Sequence, residues 1–185
     1  MVQLGYVDAI LSGNELAIHD VEYALFGTSL GVELGEVSTT KEYRNHIAAI
    51  NEVMKAGSLR ALLESGRLKK GIFYQLMVND IPFTLAGSIR DDGPLPEVIQ
   101  SSVEAQNHYR ELVKDADFVI MLASTLQSIA VGNMLTSEVK IICVDINPTV
   151  VTKLMDRGTS QAIGIVTDVG TFLPLLVSEL EKYHG

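Results

Sequence analysis

The sequence predicts an α/β protein in which a parallel sheet of about five strands is covered by helices on both faces. Five short apolar runs alternate with helical segments, as parallel strands require, because each needs a crossover connection to the next. The clearest pair of runs is Phe118–Leu122 and Lys140–Val144, separated by an amphipathic segment from Leu126 to Met134. This order of strand, helix and strand makes a βαβ unit, and we expect its first strand to be buried on both faces.

The other three predicted strands are apolar runs that end in small or polar residues. In chain order they are Val7–Leu11, Ile81–Leu85 and Ala162–Val166. A length of 185 residues suits one domain with a core of ordinary size. We therefore predict a single domain over residues 1–185.

Composition excludes several classes of function. Hydrophobic residues make up 47% of the chain, its formal net charge is -9, and its calculated pI is near 4.8. An acidic chain without Lys/Arg runs is not expected to bind nucleic acid or an anionic membrane surface. No apolar run is long enough to span a bilayer, so we predict a cytoplasmic protein with no nucleic-acid or membrane partner.

Cysteine and histidine give no metal or nucleophile pattern. Cys143 lies inside a predicted strand, where a small buried hydrophobe is expected. The four histidines are far apart in sequence and lack the spacing of known metal motifs. We therefore predict no metal site.

Two strand ends carry candidate ligand contacts. Asp145 lies 21 residues after Ser124, close to the spacing at which an acidic residue holds a ribose in a dinucleotide-binding unit. The alternative is a turn Asp before Asn147-Pro148, and no GxGxxG motif decides between them. At Ser12-Gly13-Asn14 the chain brings small residues to a strand end, which suits either a ligand contact or a plain turn.

The most polar loop follows the strand Ile81–Leu85 and contains Arg90, Asp91 and Asp92. Arg can bind a carboxylate through two parallel hydrogen bonds, and Asp can hold an ammonium or move a proton. The loop therefore has the chemistry to bind an amino acid. A charged surface loop before a helix is the alternative.

Several long motifs resemble the C-terminal domain of the LOR/SDH-like proteins, a family that includes archaeal alternative ornithine cyclodeaminase and the C-terminal part of cyanobacterial arginine dihydrolase/ornithine cyclodeaminase. The resemblance covers nearly the whole chain. The motifs are Ser12–Asp20, Phe26–Gly31, Leu85–Pro96, Ser128–Asn133, Val144–Pro148, Val151–Gly158 and Gly164–Gly170.

The resemblance implies a Rossmann-like, DHS-like NAD/FAD-binding fold and NAD as a recycled cofactor in an ammonia lyase that turns ornithine into proline. It places Ser12, Gly13 and Asn14 near the nicotinamide or its ribose. Further roles follow from it: Ser124 and Thr125 at the cofactor backbone, Asp145 and Asn147 at a ribose, Arg90 and Asp91 at the substrate, and Asp92 and Lys153 in catalysis. Asp145 would disfavour a 2′-phosphate by like charge, which favours NAD over NADP.

The chain departs from the family near its beginning. Family members carry an N-terminal domain and a Gly-Gly-Pro loop before the stretch that matches Gly5–Asp8. We therefore expect a homo-oligomer or a partner chain that supplies the missing part. The alternatives are a non-catalytic nucleotide-binding or assembly subunit, and an enzyme that consumes NAD as substrate, for which zinc-binding cysteines are lacking.

Overall fold

The computed structural model describes residues 1–29, 32–33, 42–91, 93–157 and 162–183. Helices alternate with parallel strands through this part of the chain, which confirms the predicted α/β class. The chain divides into two compact units, residues 1–108 and 109–185. No helix among the described residues combines the length and apolar character needed to cross a membrane.

Unit 1 contains a three-stranded parallel sheet in the order β1-β4-β5. Its register places Ser12 of β1 opposite Leu85 of β4, and Leu85 opposite Val98 of β5. A short antiparallel pair, β2 and β3, lies apart from this sheet. The elements, after a single 3-10 turn at Val2–Leu4, are β1 Ile10–Gly13, α1 Asn14–Phe26, β2 Thr28–Ser29, β3 Val32–Glu33, α2 Glu42–Ala56, α3 Leu59–Glu64, α4 Ile72–Val78, β4 Phe83–Ala86, β5 Val98–Ile99 and α5 Ser102–Val113, whose last turns belong to unit 2.

The core of unit 1 is built mainly from helices α1 to α4 and the strand β4. Ala17, Ile18 and Val21 form a fully buried apolar face of α1, and Phe73 of α4 packs edge-on against Phe83 at a ring separation of 5.1 Å. Burying side chains of this size stabilises the fold by roughly 1.5–3 kcal/mol each. The core therefore holds the end of β1 and the start of α1 in place.

A buried carboxylate joins α1 to α4. Both oxygens of Asp20 accept backbone hydrogen bonds at the start of α4, from Ile72 N at 2.7 Å and Phe73 N at 2.9 Å. Burial raises the pKa of Asp20, and the two N–H groups oppose that rise in part. A Cβ atom at Gly71, where φ is +107°, would lie 2.7 Å from each carboxylate oxygen, so this close approach requires glycine.

Unit 2 contains the second parallel sheet, in the order β6-β7-β8. The middle strand β7 is the most buried of the three, with Ile141, Cys143, Val144 and Asp145 each exposing 9% or less. The helix α7 packs on β8, where a Cβ at Gly164 would come within 2.4 Å of Val151 Cγ1. The elements are β6 Phe118–Leu122, α6 Leu126–Gly132, β7 Lys140–Asp145, α7 Pro148–Arg157, β8 Ala162–Val166 and α8 Val169–Glu181.

The sheets differ from the prediction in their number and in one strand's burial. The structure has two sheets of three parallel strands where the sequence predicted one sheet of about five. The expectation that Phe118–Leu122 is buried on both faces is wrong, because β6 lies at a sheet edge and Phe118 is half exposed. The single domain over residues 1–185 stays a prediction, since the two units describe packing within the chain.

Candidate functional site

The carboxyl end of β7 in unit 2 carries the first group of predicted site residues. Asp145 is the last residue of this central strand and is 9% exposed. Its Oδ1 accepts a hydrogen bond from Asn147 N at 2.8 Å, while its Oδ2 makes no hydrogen bond to a described residue. Asn147 is exposed, and its Oδ1 accepts from Thr149 N at 2.9 Å at the start of α7. Both residues thus organise a tight strand-to-helix turn, in which Asp145 uses one carboxylate oxygen.

Ser124 and Thr125 follow the neighbouring strand β6 at the same edge of the sheet. The pairing of Leu122 with Val144 puts the ends of β6 and β7 side by side. Between strand and helix, Ala123 has a φ of +44°, a left-handed conformation that costs an alanine roughly 1–2 kcal/mol. Ser124 Oγ donates to Gln127 Oε1 at 3.0 Å, and Thr125 is exposed. The turn therefore presents two hydroxyl-bearing side chains beside Asp145.

Lys153, the predicted proton-transfer residue, lies elsewhere in unit 2. It belongs to α7 and is exposed, whereas Val151 and Leu154 form the buried face of that helix. This placement is the ordinary one for a solvated lysine. A catalytic role for Lys153 stays a prediction.

In unit 1 the predicted site begins where β1 ends. Ser12 and Gly13 close the strand, and Asn14 begins α1 with no side-chain cap before it. Asn14 is 1% exposed, and its Oδ1 accepts from Leu95 N at 3.1 Å. Its Nδ2 is buried without a hydrogen-bond partner among the described residues. A buried donor without a partner costs about 1–3 kcal/mol, so a ligand that accepts a hydrogen bond at this strand end would remove that cost.

The polar loop after β4 is a compact turn. Ser88 N donates to Asp91 Oδ2 at 2.9 Å, and Arg90 N donates to Ser88 Oγ at 3.2 Å. The Asp91 carboxylate therefore shapes the turn, and Arg90 is exposed. Asp92 lies outside the described residues. Because β1 and β4 are parallel neighbours, this loop and Asn14 share one edge of the unit 1 sheet.

The structure also brings together residues that the sequence kept apart. His19 and Glu22 of α1 and His46 of α2 each offer a ligand atom within 4.8 Å of the others. The sequence spacing of the histidines did not reveal this meeting, and the absence of a metal site stays a prediction. On α1 the signal was readable, since Glu15, His19 and Glu22 repeat at helical spacing. Their meeting with His46 depends on how α1 packs on α2, which no sequence spacing encodes.

The expectation for Cys143 is confirmed. The thiol is 1% exposed, lies 3.7 Å from Met121 Sδ, and has a pKa raised by burial. A raised pKa reduces the thiolate fraction, and the thiolate is the reactive form. Cys143 is therefore a packing residue of β7.

A model of one protein family matches the chain. It describes the C-terminal, Rossmann-fold part of arginine dihydrolase ArgZ-like proteins and matches residues 1–176. Among curated relatives, the ornithine cyclodeaminase of Methanothermobacter thermautotrophicus is 57% identical over 187 residues, which is 100% of this chain and 45% of the relative. The chain thus spans less than half the length of that relative.

Two solved structures extend the likeness to three dimensions. A conserved LOR/SDH protein from Methanococcus maripaludis matches with a TM-score of 0.95 at 56% identity, over 100% of this chain and 55% of its own. AgrE in its ternary complex with ornithine and NAD+ matches with a TM-score of 0.93 at 48% identity, over 98% of this chain and 27% of AgrE.

Proposed function

This chain belongs to the family of arginine dihydrolase ArgZ-like C-terminal Rossmann-fold domains, and we propose that it is the NAD-binding part of an ornithine cyclodeaminase, an ammonia lyase that converts ornithine to proline. The likeness to AgrE, whose solved complex contains ornithine and NAD+, carries the proposal. The two chains are 48% identical, and the match covers 98% of this chain.

The residues at the unit 2 edge fit a nucleotide. A carboxylate at the end of the central strand suits the hydroxyl groups of a ribose. The hydroxyl groups of Ser124 and Thr125 suit the cofactor backbone, and Asn147 holds the turn that orients Asp145. When bound, NAD would supply the hydride acceptor and donor at Cα of the amino acid. The charge of Asp145 opposes a 2′-phosphate, so the cofactor we propose is NAD and not NADP.

The unit 1 edge fits contacts to polar acceptors. The orphaned Nδ2 of Asn14 can donate to an amide or carboxylate oxygen, and the uncapped start of α1 adds backbone N–H groups there. We assign Ser12 and Gly13 to the same edge, where small residues let a ligand approach the backbone. Arg90 is proposed to bind the substrate carboxylate, and Asp91 and Asp92 its ammonium groups.

Activity is proposed to need more than these 185 residues. The chain spans 45% of the archaeal cyclodeaminase and 27% of AgrE. The remaining length of those relatives, present on the same polypeptide or on a partner, is proposed to complete the enzyme. A second copy of this chain is the other candidate partner.

Calorimetry with NAD on the 185-residue chain tests the cofactor proposal. We expect saturable binding in the wild type and a loss of about 10–100-fold in affinity for Asp145→Asn, because hydrogen bonds to charged groups contribute about 1.5–3 kcal/mol. Asparagine keeps Oδ1 for the Asn147 N–H, so the turn survives while the charge is removed. NADP is expected to bind more weakly than NAD.

The matched control is Asp115→Ala, which removes an exposed carboxylate of unit 2. The control should bind NAD like the wild type. Equal affinities for Asp145→Asn and the control would refute the ribose contact. Ammonia and proline release from ornithine, assayed with and without the remaining segment of an archaeal relative, separates an active domain from a nucleotide-binding subunit.

A further inference from the structure

We propose that His19, Glu22 and His46 bind one divalent transition-metal cation of the zinc type. The residues lie within unit 1, on the facing surfaces of α1 and α2. Glu22 Oε2 lies 3.4 Å from His46 Nδ1 and 3.9 Å from His19 Nδ1. This site is separate from the cofactor and substrate contacts proposed above and does not depend on them.

The distances suit a tetrahedral ion. Zinc bonds to imidazole nitrogen and carboxylate oxygen of about 2.0–2.2 Å place neighbouring ligand atoms about 3.3–3.5 Å apart. The contact between Glu22 and His46 has that length already. His19 Nδ1 lies farther out, at 3.9 Å from Glu22 Oε2, and the three ligand atoms lie within 4.8 Å of one another. Binding one ion therefore requires an inward rotation of the His19 side chain, which is 30% exposed.

An unsatisfied ring nitrogen points independently to a ligand. His19 Nδ1 is buried and has no hydrogen-bond partner among the described residues. Bound to a cation, this nitrogen would gain a partner and the orphan would disappear. The Glu22 carboxylate, at 3.9 Å, is too far from His19 Nδ1 to make a hydrogen bond with it.

The surrounding groups have the arrangement that orients metal ligands. Glu15 Oε2 lies 3.8 Å from the Nε2 atoms of both His19 and His46. At 3.8 Å this carboxylate makes no hydrogen bond as it stands; closing to hydrogen-bond distance of one far nitrogen would fix the tautomer that leaves that ring's Nδ1 available for metal. Thr28 Oγ1 donates to Glu22 Oε1 at 2.8 Å and so directs Oε2 toward the imidazoles.

Charge balance favours the same occupant. Glu22 is fully buried, and a buried carboxylate requires a cation or strong hydrogen bonds. The two imidazole rings lie close together, with centroids 5.2 Å apart. A divalent cation between them would offset the charge of the buried Glu22 carboxylate at the point where the three side chains meet. Two nitrogen ligands favour zinc, nickel or copper over magnesium and calcium, which prefer oxygen.

Titration calorimetry with ZnCl2 tests the proposal on tag-free protein stripped with EDTA. We expect one Zn2+ per chain, and an affinity at least about tenfold lower in His19→Ala, since loss even of an outer-shell partner costs about 10–100-fold. The matched control, His108→Ala, removes an exposed histidine of α5 and should bind like the wild type. Unchanged affinity in His19→Ala, or absent binding in the wild type, overturns the site.

A spectroscopic measurement needs no variant and so survives any folding defect. Loading the stripped wild-type chain with Co2+ should give the visible absorption of a low-symmetry nitrogen and oxygen site, and equimolar Zn2+ should remove it. A spectrum no different from that of Co2+ in buffer overturns the proposal.

Discussion

Removing the Asp20 carboxylate should destabilise unit 1 by detaching the start of α4. In Asp20→Ala the Phe73 N–H loses its acceptor in a place with no access to water, since Phe73 is fully buried. An orphaned buried donor costs about 1–3 kcal/mol. Ile72 is 39% exposed, so water can replace the second bond at little cost. Burial of the Asp20 carboxylate in the wild type is itself unfavourable. Replacing it with alanine therefore recovers part of the free energy of unfolding that the variant loses.

The expected net loss is about 2 kcal/mol of the free energy of unfolding, or about 4–8 °C in Tm for a chain of this length. Asp20→Asn keeps one acceptor oxygen and should cost about half as much. Urea denaturation followed by circular dichroism measures both. An unchanged m-value would show that the variants change stability and not the extent of unfolding.

A double-mutant cycle with Gly71→Ala shows whether the cap is the cause. The alanine Cβ would meet both Asp20 oxygens at 2.7 Å, and the φ of +107° strains it further. In the Asp20→Ala background the collision disappears and the backbone strain alone remains. We therefore expect the two substitutions to be coupled by about 1 kcal/mol or more. Additivity within about 0.5 kcal/mol would refute this account of Asp20.

Three further predictions follow from local geometry. The folded-state pKa of Asp20 lies above its ordinary value of 3.8. The stability that this shift contributes is therefore fully present below pH 3.8 and is lost as pH rises through the raised pKa. The difference in unfolding free energy between wild type and Asp20→Asn should fall across that window, and a flat difference would contradict the prediction. Gly164→Ala should lower the free energy of unfolding by about 1–3 kcal/mol, because the new Cβ forces Val151 aside. The control is Gly132→Ala, whose Cβ would meet Met121 Cε at an ordinary 3.6 Å and which should be neutral or stabilising in thermal melts. Equal melting temperatures for the two variants would show that α7 can move away from β8. Ala123→Gly should stabilise the chain by about 0.5–1 kcal/mol, because glycine adopts the observed φ of +44° without strain, and a lower Tm would mean that the turn gains from the methyl group.

Sequence patterns predicted the strands better than their pairing. The bounds of β6 and β8 match the apolar runs, since a short β-branched run flanked by polar residues has few alternatives to a strand. The two-residue strand β5 carries too little pattern to be noticed. The grouping of strands into sheets depends on long-range packing, which the sequence pattern does not encode. The structure therefore has two parallel sheets where one was predicted. The edge position of β6 explains the exposed Phe118 in the same way.

Candidate site residues were predictable where chemistry coincides with a strand end. Asp145 and Asn14 both lie there, and the sequence offered a turn and a ligand contact as alternatives. Each residue makes a hydrogen bond to the backbone, and Asn14 Nδ2 also lacks a partner among the described residues. The two interpretations are therefore compatible. Contacts such as Asp20 with Phe73, 53 residues apart, leave no local pattern and could not be predicted.

The polar side chains of α1 lie on a different surface of the helix from the one that packs in the core. One surface is apolar and packs in the core, through Ala17, Ile18 and Val21. The other carries His19 and Glu22 toward α2, where burial is unfavourable unless a partner satisfies the polar atoms. A helix built only for packing would place apolar residues at these positions, at no cost in desolvation. The structure keeps a buried Glu and two imidazoles there instead, which is the pattern expected when a bound ion compensates for the lost hydration.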